Sequence, residues 1–175
     1  MKQLLFSLLE ILEVAIVVLV SIYLIYAFIA QPFKVDGASM EPNFSTGQYL
    51  IVDEVSYALR QPERGEVVVF HDPANEAQYF IKRIIGLPGE EVLVSDNRVL
   101  INGEKIDETY LPADIRMADT PPITLGAKEY FVMGDNRSSS YDSRSWGPLG
   151  EHQIVGVVRL RFWPPTAFNA FAINR

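Results

Sequence analysis

The stretch "EVVVFHDPANEAQYFIKRIIG", Glu66 to Gly86, decides the fold. Its two flanks, EVVVFH (66–71) and QYFIKRIIG (78–86), are rich in β-branched and aromatic residues. Each is bounded by Gly, Pro, Asn or Asp, the composition of short strands. Working outward, QYLIVDEV (48–55), KEYFVMG (128–134) and IVGVVRLRFWP (154–164) have the same character. EEVLVSDNRVLINGEKI (90–106) reads as two strands around Asp96-Asn97, followed by a second tight turn at Asn102-Gly103. Only SYALRQ (56–61) has the look of a helical turn, and the Pro- and Asp-bearing residues 107–125 read as a loop or small insert. The expectation is a mainly β body of folded antiparallel sheets, barrel-like, with a possible small insert at about 95–126.

Ahead of that body the character is different. Val14 to Ala30, "VAIVVLVSIYLIYAFIA", carries no charge. As a helix it would span about 26 Å, close to the hydrocarbon thickness of about 30 Å. The run is too long for the apolar part of a cleaved secretory signal, and FIAQPF is a poor cleavage site. The chain therefore divides into an N-terminal anchor (1–31, span 14–30) and a β-rich domain (32–175). Glu10 and Glu13 place the segment before the span outside the hydrocarbon, and Lys2 weakly favours an inside amino terminus.

The chain has 175 residues, no cysteine, two histidines and a net charge of -7. Lack of cysteine excludes disulfides, thiolate zinc sites and a cysteine nucleophile. The acidic balance argues against a nucleic-acid partner, which needs a basic face. His71 and His152 show no spacing for a metal site, so neither metal nor cofactor is expected.

Ser39, in KVDGASMEPNFSTGQYL (34–50), is a candidate nucleophile with no histidine near it in sequence. A lysine serves as base if burial lets its ammonium release a proton near neutral pH. Lys82 alternates with Phe80 and Ile84 on one strand face, opposite Ile81, Arg83 and Ile85. The third stretch, FVMGDNRSSSYDSRSWGPLG (131–150), is crowded with hydroxyls, acids, amides and arginines. Asp142 and Arg144 are spaced to pair, Asp135, Asn136 and Arg137 to brace a turn, and Ser139, Ser140 or Ser143 to orient an amine. A merely solvated turn serine and a surface lysine remain the competing account at this point.

Taken together, GASMEPNF, GEVVVFHDP, YFIKRIIGLPGE and GDNRSSSYDSRSWG, in that order after an N-terminal span, resemble the type I signal peptidases, membrane-bound endopeptidases with a Ser-Lys dyad. The resemblance implies Ser39 as nucleophile, Lys82 as general base and Ser140 as the hydroxyl that orients the amine. Gly37, Met40 and Pro42 would shape the nucleophile and oxyanion loop, with Asp135, Asn136, Arg137, Asp142 and Arg144 in support. Gly37 stands where some members carry a serine that donates to the oxyanion. The implied substrates are exported preproteins with small residues at −3 and −1. The implied setting is the bacterial cytoplasmic membrane, crossed once, with the amino terminus cytoplasmic and a monomeric catalytic domain on the outer face in contact with lipid. QYLIVDEV or a neighbour is expected to offer the strand edge for substrate, and Phe33, Phe44, Trp146 and RFWPPTAFNAF (161–171) are candidates for lipid contact. A non-catalytic, membrane-tethered β-domain that binds an outer partner is the alternative.

Overall fold

The computed structural model describes residues 2–28 and 30–171. One helix, α1 (Lys2–Phe28), leads into β1 (Ala30–Lys34), β2 (Tyr49–Asp53), the single turn α2 (Ser56–Leu59), β3 (Val67–Asp72) and β4 (Asn75–Gly86). There follow β5 (Glu91–Ser95), β6 (Arg98–Ile101), β7 (Glu104–Lys105), β8 (Ile123–Thr124) and β9 (Glu129–Met133). The short helix α3 (Ser143–Trp146), β10 (Leu149–Gly150), β11 (Ile154–Trp163) and β12 (Asn169–Ala170) complete the order.

The expected antiparallel β body is present, but as two sheets. The larger runs β1-β2-β11-β3-β4-β9-β10, with β12 added to β11. The smaller runs β7-β6-β5-β8 and is cut from the chain between β4 and β9. Neither closes into a barrel: β1 and β10 do not pair, and β10 is only two residues long. Alternation within strands reports which residues face a core, not whether the first and last strands meet, so closure was not readable.

β3 shows why the quoted stretch dominates. Val67, Val68, Val69 and Phe70 are all buried. Val67 and Val69 join one core cluster with Met40, Phe44, Leu50, Val52 and Val158. Val68 and Phe70 join the opposite one with Ile84, Tyr130, Val132 and Leu149. A strand covered on both faces reads as a continuous apolar run. A third cluster, including Ile85, Val92, Val94, Val99, Leu125 and Phe131, holds the small sheet against the large one. The hairpin joining β5 to β6 turns at Asp96 and Asn97, whose φ of 52° and 57° fit the mirror-image turn that matches strand twist.

One expectation changes and another narrows. A second helical turn exists at α3, where the Asp142 side chain caps by accepting from Arg144 N–H. And of the expected edge, QYLIVDEV or a neighbour, it is the neighbour β1 that ends the sheet, since β2 lies between β1 and β11. α1 is continuous for 27 residues, and its side chains from Phe6 to Ile22 are exposed. Over the described residues no helix is long and apolar enough to cross a membrane. The expected span 14–30 runs on through 23–30, whose side chains lie outside that description.

Candidate active site

Ser39 sits in the turn after β1, and Lys82 sits in β4. Lys82 lies directly across from Val68 of β3 and is 4% exposed, so its ammonium is walled by apolar side chains. Its Nζ lies 2.9 Å from Ser39 Oγ and donates a second bond of 2.9 Å to the Ile81 carbonyl. The Phe80 ring is 5.3 Å away. Burial lowers the Lys82 pKa to about 8, against the smaller opposing pull of Asp142 and Asp135. Such an amine is neutral in a useful fraction near physiological pH.

The Ser39 turn is fastened from the segment after β9. Asn136 N–H donates to the Ser39 carbonyl at 3.0 Å, and Asn136 Nδ2 to the Ala38 carbonyl at 3.1 Å. Gly134 has no room for a side chain, because a Cβ there would collide with the Ser39 carbonyl and Ser140 Oγ. Met40 is buried in the adjoining core, and Pro42 follows a cis peptide bond. Gly37 has φ +97°, the left-handed region that glycine tolerates. Thr46 holds it in both directions, accepting from Gly37 N–H at 3.0 Å and donating to Gly37 O at 3.1 Å. Ser39 N–H makes no hydrogen bond among the described residues.

Behind this layer lie ion pairs. Arg83, the neighbour of Lys82 on the opposite strand face, donates to both oxygens of the fully buried Asp135 at 2.8 and 2.6 Å. Arg144 does the same to Asp142 at 2.8 and 2.7 Å. Burial alone would raise the Asp142 carboxyl, but Arg144 and the Gly134 N–H outweigh it and hold the pKa below the usual carboxylate range. Arg137 is buried, donates from Nε to the Gly134 carbonyl, and meets Glu108.

The hydroxyls expected to orient the amine behave differently from one another. Ser143 Oγ accepts from Val132 N–H at 3.0 Å, and Ser139 is exposed. Ser140 Oγ is buried and makes no bond to Lys82 here, where the Ile81 carbonyl takes that place; its hydroxyl instead helps hold the Asp142 carboxyl in its charged form. His71 Nδ1 meets the Glu76 carbonyl at 2.7 Å, and His152 is exposed. Among the described residues there is no group of side chains fit to hold a metal ion.

Asn43, Tyr110 and Glu108 were not singled out from the sequence. Asn43 Nδ2 donates to Asp135 and to the Tyr110 carbonyl, both at 2.9 Å. Glu108 and Tyr110 fall in the irregular 107–125 stretch, where periodicity gives no signal.

A groove of about 310 Å³ opens over Ser39 and Lys82, lined also by Phe33, Leu50, Val69, Tyr79 and Ile81. Among the aromatics, Phe44 is fully buried and Trp146 packs on Phe70. Phe33 meets Tyr79 edge-on, whereas Trp163 and Phe168 are exposed.

The family described as "Signal peptidase, peptidase S26" matches residues 8–163. "Probable signal peptidase I-2" of Synechocystis sp. is 42% identical over 145 residues, covering 80% of this chain but only 66% of that protein, just under two thirds of its length. Signal peptidase IB of Staphylococcus aureus is 36% identical over 180 residues, covering 91% of this chain and 93% of the relative. A crystal structure of a signal peptidase I from Enterococcus faecalis superposes with a TM-score of 0.51 at 33% identity, covering 56% of this chain and 97% of that one. The alternative of a non-catalytic tethered domain is thereby set aside: the chain belongs to the signal peptidases of family S26, a family of serine endopeptidases.

Proposed function

We propose that this chain removes signal peptides from exported preproteins through a Ser39–Lys82 dyad, and that α1 anchors it in a bacterial cytoplasmic membrane. The observation that carries the reading is the buried Lys82 Nζ at 2.9 Å from Ser39 Oγ. In its neutral form Lys82 accepts the Ser39 proton, and Oγ attacks the scissile carbonyl. The tetrahedral oxyanion is met by the uncommitted Ser39 N–H; Gly37 N–H is engaged by Thr46 and cannot serve without releasing it. The lysine passes the proton to the leaving amine, and its neutral form then activates the water that releases the acyl group. Ser140, whose buried hydroxyl lies beside the Asp142 carboxylate, turns to the amine as the dyad cycles.

An extended substrate enters between the free flank of β1 and residues 79–82 of β4, a segment that β9 does not reach. Backbone pairing aligns it, and the shallow apolar lining favours small residues at −3 and −1. α1 precedes β1, the flank of the groove, in the chain, so cleavage occurs close to the bilayer surface, with the amino terminus inside and the body outside. Exposed Trp163 and Phe168 supply apolar contact with lipid. The test is cleavage of a preprotein by the detergent-solubilised full chain. Ser39→Ala and Lys82→Ala are each expected to abolish cleavage while remaining folded, and normal processing by either would sink the dyad.

A further inference from the structure

Glu108 and Tyr110 belong to no strand of either sheet, yet they touch all three stretches that assemble the site. Glu108 Oε2 accepts from Arg137 Nη1 at 3.0 Å, and its Oε1 accepts from Arg137 Nη2. Arg137 directly follows Asn136, the residue that holds the Ser39 and Ala38 carbonyls. The Tyr110 carbonyl accepts from Asn43, on the nucleophile loop, at 2.9 Å. The Tyr110 ring lies 4.0 Å from the Arg83 guanidinium, next in sequence to Lys82. The Tyr110 hydroxyl then closes the unit by donating to Glu108 Oε1 at 2.6 Å. Burial and the adjacent Glu108 carboxylate raise its pKa, so it stays a donor.

We propose that Glu108 and Tyr110 are positioning residues that set the Ser39 turn against the Lys82 strand, an inference that rests on the dyad reading above. The nucleophile and the base come from different elements, 43 positions apart in sequence. Their 2.9 Å contact is defined only as well as those elements are aligned. Asp135 joins Arg83 to Asn43, and the 108–110 segment caps this link from behind. Arg137 is braced in the same way: its side chain is wholly enclosed and Glu108 is its carboxylate partner. A change in the 108–110 segment is therefore transmitted to the Ser39–Lys82 distance without any contact to substrate. A displacement of about 1 Å from a remote change can cost on the order of 10²-fold in rate.

The experiment compares kcat and KM of the full chain on one preprotein with alanine at −3 and −1. Glu108→Gln keeps the shape and removes the charge, and Tyr110→Leu removes the ring over Arg83. Tyr110→Phe keeps the ring and the backbone carbonyl and loses only the hydroxyl. Glu108→Gln and Tyr110→Leu are expected to lower kcat by about tenfold or more with KM within about twofold, at temperatures where both are folded. Tyr110→Phe is expected to recover most of the kcat lost in Tyr110→Leu. A purely structural role predicts lower unfolding temperatures with kcat unchanged, and that result overturns the proposal. A raised KM at unchanged kcat overturns it as well, since that marks contact with substrate. If Tyr110→Leu does not fold, Glu108→Gln decides, and wild-type kcat in that variant overturns it. Ser39→Ala and Lys82→Ala run alongside separate the two readings: activity in those variants breaks the dyad itself, whereas inactivity there with unaffected 108 and 110 variants breaks only the positioning role.

Discussion

Lys82 and Arg83 are adjacent on β4 and point to opposite faces, and the two regions they serve treat buried charge in opposite ways. Arg83 meets a carboxylate with two hydrogen bonds, as do Arg137 and Arg144. Lys82 is as buried as its neighbours but meets a hydroxyl and a carbonyl instead. Paired guanidinium ions keep their charge and hold geometry, whereas an ammonium without a carboxylate is driven toward its neutral form. The chemical difference between scaffold and proposed reactive centre is thus a difference in partners, one residue apart.

Lys82→Met puts the strongest strain on that comparison. It is expected to lower cleavage by on the order of 10³-fold or more, as loss of a base in an acyl-transfer site does. It is also expected to raise stability near neutral pH. Bringing the lysine pKa from 10.5 to about 8 by burial corresponds to about 3 kcal/mol. That penalty is fully present below pH 8. It is relieved between about 8 and 10.5, where the unfolded lysine binds a proton that the folded one does not. Denaturant unfolding should show Lys82→Met gaining most below pH 8 and losing the advantage above pH 10.5.

On the opposite face, Asp135→Ala is expected to lose about 3–5 kcal/mol, because it strands the buried Arg83 guanidinium. The same measurement on both variants pits the two faces directly: one truncation stabilises and the other destabilises. A stability loss under about 1 kcal/mol for Asp135→Ala would mean that Arg83 finds water or another partner.

The pH profile sharpens the comparison further. With Lys82 as the proposed base, acting in its neutral form, kcat/KM is expected to rise about tenfold per pH unit below its pKa and level off above about 8. A flat profile between pH 5 and 7 would remove lysine as the base. The smallest effect is expected in the small sheet. Asn97→Ala, at φ 57° and with a side chain accepting from Met117 N–H, should cost about 1 kcal/mol and leave kcat unchanged.

Much of this was legible in the sequence for local reasons. The alternation that set Lys82 beside Phe80 and Ile84 is a period-2 property, and those two side chains do share a core cluster. Asp96-Asn97 and Asn102-Gly103 are turn dipeptides whose positive φ values follow from their own chemistry. The spacing of Asp142 and Arg144 led to a bidentate pair. Other features were not local. Whether β1 and β10 meet depends on the path of every strand between them. Ser140 is the hydroxyl expected to orient the amine; the bond that Lys82 makes beside Ser39 is to the Ile81 carbonyl, a backbone group that no side-chain pattern announces.

The amino-acid sequence by itself determined the strand content, the tight turns, the apolar helix and the residue types available for an acyl-transfer centre, because each depends on neighbours within a few positions. The tertiary structure alone decided that the sheets stay open, that β1 is the terminal strand beside the groove, and that Glu108 and Tyr110 reach Arg137, Asn43 and Arg83. Those are contacts between residues distant along the chain, fixed by how buried charges find partners and not by the order of the residues between them.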